Sequence, residues 1–309
     1  MITNPTPDPS VPAVSPELPP ATWRAVLALL GRLPQGALSR GFGAIADVPL
    51  PPALRRPVLG AFARAVGIDL AEAELPLEAY PTLNAFFVRR LRSGARSWPR
   101  DRGTVASPVD GITGQVGRIG EGRVVQAKGR WYTAAALLDD ADEARRYEGG
   151  TFATLYLSPR HYHRIHAPCD GLIHLARHIP GALLPVNAPA VAHVPDLFAR
   201  NERLVCYLDG PLGRIAVVAV GAYNVGRISA AFDPRWGPWV TNRPRVVRPE
   251  SRIYEPPVRV RQGDEIMAFH LGSTVVLLFE PGRIVLEGAL TPGAPVVLGE
   301  EIGRVKGEG

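Results

Sequence analysis

The 309-residue chain has two cysteines, Cys169 and Cys206, and two lysines, Lys128 and Lys306. Two cysteines in so long a chain cannot build a disulfide framework, so a reducing, cytoplasmic setting is the default expectation. Aromatic residues make up only 7% of the chain and do not interleave with a dense basic run, which weighs against a nucleic-acid interface. No apolar run approaches the roughly 20 residues that span a bilayer. The first twenty residues are proline-rich and carry no apolar core of the secretory kind. A soluble or membrane-peripheral protein is expected. The net charge of +6, carried almost wholly by arginine, suits nucleic acid, anionic lipid or an acidic substrate without choosing among them.

Glycine and proline, by contrast, are plentiful at 32 each, so turns should be frequent and long helices few. Residues 1–22 are low in complexity and read as a disordered tail. Short amphipathic helices are expected at 23–32, 36–46, 52–66 and 82–91. Several set arginines beside apolar residues, as Arg55 and Arg56 stand beside Leu54 and Val58; they suit packing on a core or contact with anionic lipid. From about 105 the texture changes to short β-branched runs bounded by Gly and Pro, at 123–127, 151–157, 203–208, 214–220, 274–279 and 283–287. The fold class expected is α+β: N-terminal helices (23–98), then a large, mainly antiparallel β-rich core (99–309) with a sandwich-like C-terminal part. Turns at Gly263 and Gly293 resemble those of biotinyl carrier domains. The stretch 263–303 lacks the lysine such carriers need, so only the sandwich analogy is kept.

Three segments carry candidate chemistry. Asp110 lies in Ser107-Pro-Val-Asp-Gly111, a turn by composition. His161, His163 and His166 fall within six residues of a chain that has seven histidines in all. Such a cluster could ligate a metal or serve acid–base chemistry. Gly272-Ser273 stands at the entrance to an apolar run. Read alone, each is as consistent with a turn, a structural histidine or a strand-edge serine.

Taken together, these segments resemble the phosphatidylserine decarboxylase family. The matching stretches are Asn84-Ala-Phe-Phe-Val-Arg89, Ser107–Gly111, Gln126-Ala-Lys-Gly129, Ser158–His166, Leu197–Arg203, Val220–Gly226 and Leu271-Gly-Ser-Thr274, in the family's order. The resemblance implies a pyruvoyl cofactor made by the chain from its own Ser273. Cleavage between Gly272 and Ser273 would leave a β chain (1–272) and an α chain (273–309) that stay together as a heterodimer. It assigns His166 as base and Asp110 as its partner in that cleavage, and leaves His163 for decarboxylation through a Schiff base. Lys128, Tyr223 and Asn224 become candidate substrate contacts, and Arg200, Asn201 and Arg203 candidate cleft residues. No metal is implied.

The chain departs from the family at His161, where Asp is usual, and at Tyr223 and Arg227. The first departure argues against an essential imidazole at 161 and weakens the metal reading. The expected partners are phosphatidylserine and, peripherally, the cytoplasmic side of the cell membrane; no nucleic acid is expected. The alternatives are a pyruvoyl decarboxylase of another amine-bearing acid, a histidine-based metallohydrolase, and a non-enzymatic lipid-binding sandwich.

Overall fold

The computed structural model describes residues 41, 43–127, 129–222, 227–237, 248–270, 273–288 and 290–306. The tail and the helix expected at 23–32 lie outside the described residues, as does most of the helix expected at 36–46. Helix Pro52–Val66 has proline at its first position, where a missing N–H leaves no partner unsatisfied, and ends on Gly67 in the left-handed region (φ 80°). It buries Leu59 and Ala63 against Tyr80 and Phe86, a small cluster apart from the main core. The next helix, Leu83–Phe87, is shorter than expected. Thr82 caps it, accepting from the Ala85 N–H. It stops because the following residues run extended: the Glu74 N–H bonds the Arg90 carbonyl and Leu91 bridges to Ala73.

The described strands are short. β1 (Thr104–Ala106), β2 (Gly111–Arg118), β3 (Arg123–Ala127) and β4 (Arg130–Thr133) come first. β5 (Thr151–Leu157), β6 (Arg164–His166) and β7 (Gly171–Ile179) include and flank the histidine segment. Then come β8 (Arg203–Gly210), β9 (Gly213–Val220), β10 (Ile228–Ala230) and β11 (Glu250–Val260). β12 (Glu265–Phe269) and β13 (Ser273–Phe279) flank the candidate cleavage bond, and β14 (Ile284–Leu286), β15 (Pro295–Val296) and β16 (Glu301–Val305) follow.

An eight-stranded antiparallel sheet in the order β11-β7-β8-β9-β13-β5-β2-β15 forms the middle layer. β13 is buried along its whole length, which accounts for its unbroken apolar run rather than an alternating one. Its side chains still alternate between faces. Val275, Leu277 and Phe279 join the cluster beneath two small sheets, β10-β12-β6 and β1-β16-β14. Val276 and Leu278 join the opposite cluster, under the β3–β4 hairpin and the short helices Ala134–Leu138, Ala188–His193 and Leu197–Arg200. The C-terminal stretch is sandwich-like: β13 lies in one layer, β14 and β16 in the next. Each large apolar side chain sealed between layers contributes about 1.5–3 kcal/mol. Cys169 and Cys206 are buried and unpaired.

Candidate active site

β13 begins at Ser273, which pairs with Leu157 at the end of β5. Alternation sets Ser273 on the Val275 and Leu277 face, the side covered by the sheet that contains β6. The histidine segment runs from the end of β5 into β6 in that covering layer. The topology therefore brings the serine and the histidines to one interlayer edge. Ser273 is 1% exposed and among the described residues its Oγ makes no hydrogen bond.

The three histidines differ. His161 folds back on its own loop, its Nδ1 accepting from the Ser158 N–H at 3.0 Å. His163 is fully buried, and its Nδ1 lies 2.8 Å from the His161 carbonyl. A carbonyl only accepts, so Nδ1 carries the proton and Nε2 holds the lone pair; that Nε2 has no hydrogen-bond partner. Burial pushes the His163 imidazole down to about 3, against the pull of the His161 carbonyl. His166 has the same tautomer, its Nδ1 donating to the Gly263 carbonyl at 2.7 Å. Its Nε2 takes the Tyr162 hydroxyl at 3.1 Å, and Trp98 and Tyr162 flank its ring. Burial lowers its pKa as well, partly offset by the Gly263 carbonyl. Gly263 needs its positive φ of 91°, and a Cβ there would strike Trp98 at 2.8 Å. The three imidazoles do not converge on a common point, and among the described residues no His, Cys, Asp and Glu group forms a metal-holding cluster.

Asp110 sits in the turn before β2. Gly111 lets that turn approach β5, since a Cβ would lie 2.8 Å from the Tyr156 carbonyl. The turn is tied to His166, whose N–H donates to the Pro108 carbonyl. The Asp110 carboxylate itself, however, is held by Arg96 and not by His166. Arg96 Nε donates to Oδ1 at 3.0 Å and Nη2 to Oδ2 at 2.6 Å, and the Leu298 N–H adds a third bond at 2.8 Å. The same guanidinium grips both oxygens of Glu72, at 2.7 and 2.9 Å. The charge of Asp110 reaches His166, favouring its protonated form, without a direct bond.

Leu271, Gly272, Lys128, Tyr223 and Asn224 lie outside the described residues. Asn201 and Arg203 do not line a cleft: Asn201 is buried and bonds the backbones of Leu184 and Gly221. Arg203 is buried and closes the end of helix Ala134–Leu138 by donating to the Ala136 and Leu137 carbonyls. Arg200 reaches the Pro195 carbonyl only at 3.5 Å. Arg227 pairs with Asp47 at 2.5 Å.

The sequence reading missed Arg96, Arg89 and His270. His270 lies three residues before Ser273 and is buried, with Nε2 3.0 Å from Ser229 Oγ and Nδ1 3.3 Å from Asn84 Oδ1. Asn84 in turn donates to Asp47 at 2.8 Å. The strand before the cleavage bond is thus tied to the N-terminal helices by a buried polar chain. A signal for the two arginines existed, since Arg89 ends the Asn84–Arg89 stretch and Arg96 follows it, but nothing local separates one arginine from another there.

The phosphatidylserine decarboxylase family model matches residues 83–304, a span that holds the histidine segment and Ser273 together. A relative from Anaeromyxobacter sp. (strain K), named phosphatidylserine decarboxylase proenzyme, is 49% identical over 280 residues, covering 91% of this chain and 98% of its own. Relatives of the same name from Myxococcus xanthus and Bordetella avium are each 43% identical, over 90% and 87% of this chain and 97% and 90% of theirs. The family model and these relatives place the chain among the decarboxylating lyases. It belongs to the phosphatidylserine decarboxylase family.

Proposed function

We propose that this chain cuts itself at Gly272–Ser273 to make its own pyruvoyl group and then converts phosphatidylserine to phosphatidylethanolamine. The single observation that carries the reading is the buried, unbonded Oγ of Ser273 at the head of β13, on the face covered by the histidine-bearing layer. A buried hydroxyl without a partner costs about 1–3 kcal/mol; among the described residues Thr274 Oγ1 beside it is unbonded as well, so it is the place of Ser273 at the motif bond, on the face covered by the histidine-bearing layer, that favours a chemical role.

In the cleavage, Ser273 Oγ attacks the Gly272 carbonyl carbon and the amide becomes an ester, with the α-amine freed. β-Elimination then breaks the Cβ–Oγ bond, so Gly272 leaves as a carboxylate and residue 273 becomes dehydroalanine. Water adds, ammonia departs and a pyruvoyl group remains. The site fits this loss of oxygen, because Oγ takes part in no hydrogen bond among the described residues. Fragment 273–309 has reason to stay in place: β13 is laddered to β5 on one side and to β9 on the other. When formed, the pyruvoyl supplies the sink for the negative charge that carbon dioxide leaves behind.

A serine needs a base to give up its proton. His166, with the Asp110 charge nearby, is the base by family resemblance, and Tyr162 would release its Nε2 as it acts. A second reading has one observation behind it: His163 Nε2 is the lone pair without a partner in the same layer. In the first reading His163 serves as the proton donor or positioning group of decarboxylation.

No helix among the described residues is long and apolar enough to cross a membrane. Peripheral membrane contact is supported by exposed Ile45, Val48, Leu54 and Val58 beside Arg55 and Arg56; the cytoplasmic face is part of the proposal. The test is a denaturing gel with intact-mass analysis of the wild type and Ser273→Ala. The wild type should give two fragments, 273–309 carrying an N-terminal pyruvoyl, and Ser273→Ala one inactive chain that still floats with anionic vesicles. An active, uncut Ser273→Ala protein would sink the mechanism; failure to float would sink the membrane assignment.

A further inference from the structure

Arg89 is the anomaly of the interior. It is 3% exposed, and among the described residues it forms no ion pair. Its Nε and Nη1 make no hydrogen bond, and Nη2 reaches the Arg160 carbonyl only at 3.5 Å. The ring of Phe86 lies 5.6 Å from the guanidinium carbon. The acids that act on it through space, Asp110 and Glu72, are both already clamped by Arg96. A buried cation without a counter-ion is among the most unfavourable arrangements in a protein interior. Two more weakly engaged groups lie close by. Tyr80, whose buried hydroxyl has only the Leu75 backbone N–H near it, is the strongest through-space influence on Arg89, and the Arg89 charge also acts on His163, whose Nε2 has no hydrogen-bond partner among the described residues. Phe87, two residues before Arg89, packs on the His163 ring at 4.1 Å.

We propose that Arg89, with the Tyr80 hydroxyl, is the anion-binding subsite of this enzyme and holds the phosphodiester of the lipid headgroup. The inference rests on the decarboxylase reading above. The substrate carries two anions, a carboxylate and a phosphodiester, and the reaction itself separates them. Decarboxylation removes negative charge from the carboxylate and releases a neutral gas. A guanidinium fixed on that carboxylate would favour the ground state over the transition state and slow the step. The phosphodiester keeps its charge throughout, so holding it anchors the headgroup equally in both states. The planar fork of arginine matches two phosphate oxygens, as a lysine ammonium would not. A bound anion also compensates the charge that helps keep His163 neutral, leaving that imidazole freer to hold a proton.

Uniform anchoring predicts a particular kinetic signature. Arg89→Gln and Arg89→Lys should cut themselves normally on a gel. Their KM for phosphatidylserine in mixed micelles should rise about tenfold to a hundredfold, the worth of a hydrogen bond to a charged group, with kcat changed much less. Glycerol 3-phosphate should inhibit the wild type and lose that effect in Arg89→Gln, while free serine should distinguish the two proteins little. Independently of activity, inorganic phosphate should raise the melting temperature of the uncut Ser273→Ala chain, and the rise should vanish in the Ser273→Ala, Arg89→Gln double variant. A fall in kcat at unchanged KM would overturn the phosphodiester assignment in favour of the carboxylate. An unchanged KM and kcat with intact phosphate stabilisation would show that Arg89 only packs against Phe86 and Arg160. Loss of decarboxylation in the wild type, with phosphate stabilisation still dependent on Arg89, would refute the functional reading and leave the anion site standing.

Discussion

Arg89 and Arg96 are seven residues apart and live in opposite electrostatic worlds. Arg96 makes four hydrogen bonds to two carboxylates, Glu72 and Asp110, and these raise its pKa further. Arg89 has no acid to bond, and burial lowers its pKa. The same contrast runs through the site. In the corner around Arg96, the arginine and Asp110 are locked; in the interior, Arg89, His163, Ser273 and Tyr80 all keep an unengaged polar atom. A saturated charge positions what is around it, because moving it breaks several bonds at once. An unengaged buried atom is costly, and it is where a reacting group or ligand can be received. The corner therefore reads as the part that fixes Asp110 beside His166, and the interior as the part that can receive a reacting group or ligand.

The largest test of that division is the histidine pair. His166→Ala should leave uncut chain, with cleavage slowed about 10²–10⁴-fold by loss of its base, and Asp110→Asn should act in the same direction. His163→Ala should cut normally and turn phosphatidylserine over poorly. Cut fraction on a gel, beside ethanolamine-lipid production, separates the two roles. If His163→Ala stays uncut while His166→Ala cuts, the unengaged Nε2 of His163 is the cleavage base and the order of roles is reversed.

Next come the two arginines, read by urea denaturation of the uncut Ser273→Ala chain. Arg96→Ala strands two carboxylates beside each other and should lose roughly 3 kcal/mol of stability, as when one partner leaves a buried pair. Arg96→Lys should recover only part of this, since an ammonium cannot make the paired forks. Arg89→Met should be neutral or stabilising, because it removes an uncompensated charge and keeps the volume. Equal losses at both positions would erase the distinction between corner and interior.

The last test is in pH. His161, His163, His166 and His270 all have pKa values lowered by burial: to about 4 for His161 and His270, to about 3 for His163 and downward for His166. Each is neutral in the fold at neutral pH, while the unfolded chain begins to take up protons near 6.5. Their contribution is therefore fully present above about pH 6.5 and is lost progressively as pH falls toward the folded values. The urea midpoint should be flat from pH 8 to 7 and drop below 6.5, with a gentler drop in His163→Gln. A midpoint that rises on acidification would contradict the neutral interior.

Much of this architecture was written in local sequence. The β-branched runs between glycines and prolines marked β3, β5, β8, β9 and β13 to within a residue or two at most ends, because strand propensity and turn chemistry act over a few residues. Pro52 and Gly67 bounded their helix for the same reason. The motif residues Asp110, His163, His166 and Ser273 stood out in the chain alone, but the roles and the chemistry given to them came from the family resemblance, since each read by itself suits a turn, a structural histidine or a strand-edge serine. Tertiary structure alone decided which of these groups were engaged. Asp110 bonds Arg96 rather than His166, His270 finds Asn84 from 186 positions away, and Arg203 closes a helix end instead of lining a cleft. Arg89 and Arg96 belong to one short basic stretch in which no pattern tells the buried arginine from the paired one. Local preferences fix where the backbone turns and which face is apolar. The state of a charge depends on which distant segments the sheet order brings against it, since burial and ion pairing are set by neighbours in space and not in sequence.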